Sequence, residues 1–220
     1  VANEEDGGGA ARMILIGQYD SSYVRRVAIA MRLYGLAFEH RPWSVFGDAG
    51  KLQAVNPLMR VPTLVLDDGD IVADSASILD HLDGLVPADR RLVPQAGPAR
   101  RHALKVMAFA TGLADKGVSL FYELHLHETP SAGWVERCRS QILATLGALE
   151  ADRANRTGDH WFGTAIGHAD IAVACAWRHV GEAHPGLIDA AAYPALAAHC
   201  ARLEALPVFR EIFQPFAAPA

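Results

Sequence analysis

The chain has 220 residues, 51% of them hydrophobic and 20% charged, with a formal net charge of −5. That length suits one large domain or two modest ones with ample core. The acidic balance argues against nucleic acid or an anionic membrane surface as the main partner, because both select basic faces, and no apolar run approaches the ~18–20 residues of a membrane span.

The opening "VANEEDGGGAAR" (1–12) is acidic and Gly-rich and lacks the basic-then-apolar order of a secretory signal. It is expected to form a flexible tail, with the fold starting at Met13. "MILIG" (13–17) is a short apolar run, a candidate strand. In "SYVRRVAIAMRLYG", Val24, Val27, Ala28 and Met31 fall at helical spacing, with Ser21 and Ser22 where an N-cap belongs and Gly35 at the stop. "LAFEHRPWS" (36–44) reads as a second strand. Strand, helix and strand in about 30 residues predict a βαβ unit with parallel strands.

Residues 45–60 read as irregular, punctuated by Gly47, Gly50 and Asn56-Pro57. "VPTLVL" and "DIVAD" flank Asp68-Gly69, a hairpin-favouring turn. "SASILDHLDGLV" carries one apolar stripe through Ile78, Leu79 and Leu82. The order βαβ-ββα predicts an α/β domain over 13–86. A Pro- and charge-rich linker follows at 87–98. No strand signal recurs in 99–220. Helical patterns there cover about 99–127, 134–153, 168–182, 193–206 and 207–213, so an all-helical domain is expected.

Cys138, Cys175 and Cys200 are the only cysteines, none at C-x-x-C spacing. They read as buried thiols in a reducing compartment, most simply the cytoplasm. His125 and His127 are two apart in a helix and so project from different faces, and no P-loop, H-E-x-x-H or G-x-G-x-x-G occurs. Neither a metal nor a nucleotide cofactor is expected.

Two features stand out in "RVPTLVLDDGDIVADSASIL" (60–79): Pro62 opens a strand, and Asp74-Ser75 stands at the start of a helix. Singly, the proline suits an edge strand and the pair suits a cap. Together with Ser21-Ser22 they suggest a ligand site. A helix start offers N–H groups and a dipole to a carboxylate. A cis bond before Pro62 would free the Val61 main chain to pair with an extended peptide.

"SSYVRRVAIAMRLYGLAFE", "NPLMRVPTLVLDDGDIVADSASILDHLD" and "HADIAVACAWRHV" together resemble the cytosolic glutathione transferases in their bacterial, serine-type (theta/zeta-like) form, over nearly the whole chain from Met13. The resemblance implies a thioredoxin-like N-terminal domain with an all-helical C-terminal domain, and glutathione as co-substrate. It places Asp74 and Ser75 at the γ-glutamyl end of glutathione, Val61 on the cysteinyl main chain and Ser21 at the sulfur, with Ser22 and Arg60 as further glutathione contacts. Tyr19 is a rival sulfur donor, because other classes use a tyrosine near this loop. Phe109 and Tyr122 are candidate walls for the electrophile.

The implied chemistry is thiolate activation: lowering a thiol pKa by roughly two units takes about 2.7 kcal/mol, within reach of one charge-assisted hydrogen bond and a helix N-terminus. The absence of cysteine before Cys138 argues against thiol–disulfide exchange. The isomerase class shares the double serine, but its cysteine and tryptophan are missing from "SSYVRRV". Gly167 in "GHAD" replaces the usual Ser or Thr cap. A homodimer acting in detoxification is implied, with a glutathione-dependent isomerase or a non-catalytic binding protein on the same scaffold as alternatives.

Overall fold

A four-stranded sheet carries the first third of the chain, in the order β2-β1-β3-β4. β1 (Met13–Ile16) lies parallel to β2 (Phe38–Arg41), and Met13 faces Phe38. β3 (Thr63–Val65) runs antiparallel to β1, and β4 (Ile71–Ala73) antiparallel to β3. The structure, a computed structural model, describes residues 13–218; the expected tail at 1–12 lies outside them.

α1 (Ser22–Tyr34) is the βαβ crossover. Ser21 is its N-cap, its hydroxyl accepting from the Val24 N–H at 3.5 Å, and Gly35 ends it at φ +73°. The second strand is shorter than the expected 36–44, because Pro42 has no N–H to continue it and Trp43 folds back onto the Arg41 carbonyl at 2.8 Å. A helix also stands inside the stretch expected to be irregular: α2 (Ala49–Val55). Its one buried residue is Leu52, so two turns with a single apolar anchor show no stripe. The Asp68-Gly69 hairpin forms as expected, with Gly69 at φ +87°. α3 (Ser75–Gly84) follows.

Beyond a 3₁₀ turn at Ala88–Arg90, the main elements among the described residues are all helices: α4 (Gly97–Leu126), α5 (Ala132–Ala154), α6 (His168–Ala183), α7 (Pro194–Glu204) and α8 (Pro207–Glu211). α4 turns Ala103, Val106, Ala110, Leu113, Ala114 and Gly117 inward at spacings of three and four. At Gly117 a Cβ would come within 2.8 Å of Val180, so glycine sets how closely α4 and α6 approach. α6 is buried along most of its length, packed against α4, α7 and α1. This is a thioredoxin-like domain joined to an all-helical one.

Two polar clusters join the halves. Arg25 of α1, buried, makes a two-pronged pair with Glu204 at 2.5 and 2.7 Å and donates to the carbonyls of Ile212 and Phe209 at 2.8 Å. The second cluster centres on Asp83 of α3. Its carboxylate accepts the Tyr34 hydroxyl and lies 2.9 Å from His168 Nε2, while the Leu92 N–H donates to the Tyr34 oxygen at 3.0 Å. Burial alone would raise the Asp83 pKa, but the bond to His168, its charge and the Tyr34 hydroxyl outweigh burial and hold it below the usual carboxylate range. A depressed folded pKa gives stability that is present above the unfolded value, about 4, and is lost as pH falls through the folded one. The melting temperature should therefore fall more steeply below about pH 4 in the parent than in Asp83→Asn; equal slopes in acid-range thermal melts would remove Asp83 from the linkage.

Candidate active site

Gly17 places the loop after β1. Its φ is +128°, and a Cβ there would lie 2.5 Å from Val24 and 2.8 Å from Val61. Only glycine lets this loop pass between α1 and the residue before Pro62. The passage brings Ser21 and Val61 to one cleft of about 900 Å³. The Val61-Pro62 bond is cis.

The cleft runs between the two halves. On the sheet side it is lined by Asp20, Ser21, Arg60 and Val61, and on the α4 side by Val118, Phe121 and Tyr122. Phe46 meets the Tyr122 ring edge-on at 5.6 Å. The end of the chain closes one side: Phe216 lies against Phe121 at 5.2 Å and His179 at 5.6 Å. Its N–H donates to Glu182 at 2.9 Å, and the Ala217 N–H donates to the Asp20 carboxylate at 3.2 Å.

The expected site residues divide into three groups. Ser21, Arg60, Val61 and Tyr122 line the cleft. Asp74 and Ser75 stand at the start of α3, off its lining. The Asp74 carboxylate accepts the Ala76 N–H at 2.7 Å, and its backbone sits at φ +71°. The Ser75 hydroxyl is buried and accepts from Arg26 Nη2 at 2.7 Å. Arg26 is 3% exposed, and its Nε has no partner among the described residues. Ser75 thus retains a proton to donate, beside a buried positive charge.

The third group does not reach the cleft. Ser22, expected to touch glutathione, is the first residue of α1 and is turned into the core; its hydroxyl has no partner among the described residues. Phe109 is exposed elsewhere on α4, under Lys105. Tyr19 stacks on His40 at 3.9 Å, and its N–H donates to Gln214 at 3.2 Å.

Sequence reasoning missed Tyr23, His179 and Phe216. Tyr23 lines the cleft, but its hydroxyl donates to the Asp115 carboxylate, and burial followed by that bond pushes its pKa well above the usual value. It stays protonated, with its proton committed. Of the hydroxyls at the start of α1, Ser21 is therefore the one that lines the cleft with no protein acceptor for its proton among the described residues. There it shares the positive end of a thirteen-residue helix. The three cysteines are all buried and free, and burial pushes the Cys175 thiol up to about 12. Among the described residues no group of three or more His, Cys, Asp or Glu is placed to hold a metal ion, and no helix is long and apolar enough to cross a membrane.

The fold and this cleft define a class: a thioredoxin-like domain with a serine at the first helix and a cis-proline opposite, roofed by an all-helical domain. Residues 15–90 match the profile of the glutathione S-transferase N-terminal domain, and residues 132–202 that of its C-terminal domain. A glutathione S-transferase of Methylobacterium radiotolerans, solved with glutathione sulfonate, superposes with a TM-score of 0.87 at 30% identity, covering 95% of this chain and 97% of that one. A Pseudomonas fluorescens glutathione transferase family member with bound glutathione gives 0.77 at 29% identity, over 93% and 100%. The maleylacetoacetate isomerase of Mus musculus is 27% identical over 207 residues, 91% of this chain and 92% of that protein. The chain belongs to the glutathione S-transferase family.

Proposed function

We propose that this protein binds glutathione with its sulfur at Ser21 and activates the thiol for attack on a small, hydrophobic electrophile held among Phe46, Phe121, Tyr122 and Phe216. The observation that carries the reading is the meeting of Ser21, Val61 and an aromatic wall in one cleft. The Ser21 O–H donates to the thiolate and lowers its pKa, assisted by the start of α1. The free N–H and C=O of Val61 pair with the cysteinyl main chain, and Arg60 adds positive charge at the rim. Asp74 and Ser75 take the γ-glutamyl end, the aspartate its ammonium and the serine its carboxylate. The backbone of Asp74 supports this role. A non-glycine residue held at such a φ costs about 1–3 kcal/mol, and conformations of this kind cluster at functional sites.

The expected result is tight retention on immobilised glutathione, with a rise in thiolate absorbance on binding. Asp74→Asn separates the ligand role from capping, since an asparagine oxygen can still accept the Ala76 N–H. It should raise the glutathione dissociation constant at least fivefold, roughly 1 kcal/mol, and barely move the melting temperature. An unchanged constant by calorimetry would leave Asp74 as a cap.

Glutathione-dependent isomerisation is a second reading, favoured by the isomerase named among the relatives. The sequence "SSYVRRV" speaks against it, lacking the cysteine and tryptophan of that class. The protein acts in the cytoplasm, as its buried free thiols suit, and as a two-fold homodimer, the commonest oligomer type. Light scattering at micromolar concentration should give twice the chain mass; a single species near 23.6 kDa would refute the dimer.

A further inference from the structure

His179 of α6 belongs to the wall of the cleft, and the reading above gives it no task. Its Nδ1 lies 3.1 Å from the Asp20 carbonyl. A carbonyl accepts only, so the contact places the proton on Nδ1 and leaves a lone pair on Nε2. Among the described residues the ring's one hydrogen bond is that of Nδ1, which leaves Nε2 free at the wall of the cleft. The residue whose carbonyl orients the ring is the one before Ser21, so imidazole and sulfur site are held by the same loop. Burial, with a smaller push from His184, keeps the imidazole below its ordinary pKa, more than the Asp20 carbonyl and the nearby Asp20 and Glu182 charges raise it. It therefore rests neutral at pH 7.

On the reading of the cleft as a glutathione transferase site, we propose that His179 is a catalytic acid–base residue for electrophiles that gain a proton as they gain the sulfur, namely α,β-unsaturated carbonyl compounds. Nε2 takes the proton of the glutathione thiol. The thiolate, with the Ser21 hydroxyl donating to it, adds to the β-carbon, and the alkene π pair moves toward the carbonyl to give an enolate. The imidazolium then returns its proton to the α-carbon. One C–S and one C–H bond form, while one S–H bond and one C=C π bond break. No leaving group, oxidant or outside acid is needed. The burial that makes His179 a modest base makes its imidazolium a ready donor, which suits the second half of the cycle. Displacement of halide from an aryl ring needs no such return, so the two electrophile classes depend on His179 to different degrees. The planar rings of Phe121, Tyr122 and Phe216 suit a flat, conjugated acceptor.

The test pairs two variants with two electrophiles. His179→Asn places an amide N–H near the position of Nδ1, preserving the bond to Asp20 while removing Nε2; His179→Gln does the reverse. Each is assayed with glutathione and an aryl halide, and with an aryl enone bearing a methyl group on its α-carbon. Both variants should lose about thirtyfold or more in kcat/KM with the enone, within the range of general acid–base contributions. That loss should exceed the loss with the aryl halide by at least tenfold. The parent should set one configuration at the α-carbon, where the protein delivers the proton, and both variants should give a mixture. Equal losses with the two electrophiles in His179→Asn, or a single configuration retained by it, would overturn the assignment and leave His179 as a support for the loop. A parent that conjugates the aryl halide but not the enone overturns the role of His179 alone. A parent that conjugates neither overturns the transferase reading with it.

Discussion

Ser21→Ala is expected to lower turnover of glutathione with an aryl halide by at least tenfold, about 1.4 kcal/mol or more in the barrier. The alternatives to Ser21 have other engagements: the Tyr23 proton goes to Asp115, and Tyr19 stacks on His40 away from the cleft lining. Removing the Ser21 hydroxyl leaves the thiolate with the end of α1 and no side-chain donor from this loop. The titration of the bound thiol should move up toward its free value, near 8.5 for a simple thiol, while glutathione affinity changes little. Ser21 is also the cap of α1, so a stability loss of up to about 1 kcal/mol accompanies the change. Its long 3.5 Å contact to the Val24 N–H argues for less than that. If Tyr19→Phe shifts the thiol titration and Ser21→Ala does not, the donor is Tyr19.

The largest stability effect is expected from Asp170→Asn. Asp170 is 1% exposed, and each oxygen is committed: Oδ1 accepts the Trp161 N–H at 2.7 Å, Oδ2 the Gly167 N–H at 2.8 Å. His199 Nε2 lies 3.2 Å from Oδ1. An asparagine must turn its NH₂ toward one of these donors, leaving a buried N–H facing a buried N–H. Breaking a buried charged network of this kind costs about 3–5 kcal/mol, or roughly 6–20 °C of melting temperature at this chain length. A differential melt shifted by less than about 2 °C, under 1 kcal/mol on that scale, would mean that the carboxylate does not hold the segment before α6.

The same corner explains the departure at Gly167. A Cβ there would lie 2.9 Å from the Leu92 carbonyl, which accepts the His168 N–H at 2.7 Å. In this chain the linker packs where a cap side chain would go, and Asp170 reaches back to the Gly167 N–H, as the acidic member of a capping box does.

The sheet was legible because its signals are local. Asp68-Gly69 specifies a hairpin, Gly35 stops α1, and a strand-helix-strand of this length allows only a parallel pair. α2 was not legible, since one buried leucine makes no pattern. The site split along the same line. Ser21, Val61 and Arg60 sit in short stretches whose order is recognisable. His179 is oriented by Asp20, 159 positions away, and Phe216 packs on Phe121 from a distant stretch of the chain, which no local window contains. One signal for His179 was present. With Ala172, Ala176 and Ala183 it falls on one face of α6, an imidazole among methyl groups. Ser22 misled for the opposite reason: two adjacent serines at a helix start point in different directions, so at most one faces a ligand.

Arg25 has a consequence for how the protein is made. Its partners, Glu204, Phe209 and Ile212, lie 179 to 187 residues further along the chain, yet it sits on the helix that Ser21 caps. On a ribosome, the first loop emerges long before these partners exist. The guanidinium must wait in water while the residues up to its partners are synthesised, and it finds its carbonyls only when α8 emerges. Ser21, made long before those partners, is thus late to acquire its final support. A nascent chain stalled before residue 204 could contain every strand of the sheet and still lack a finished floor beneath its active site.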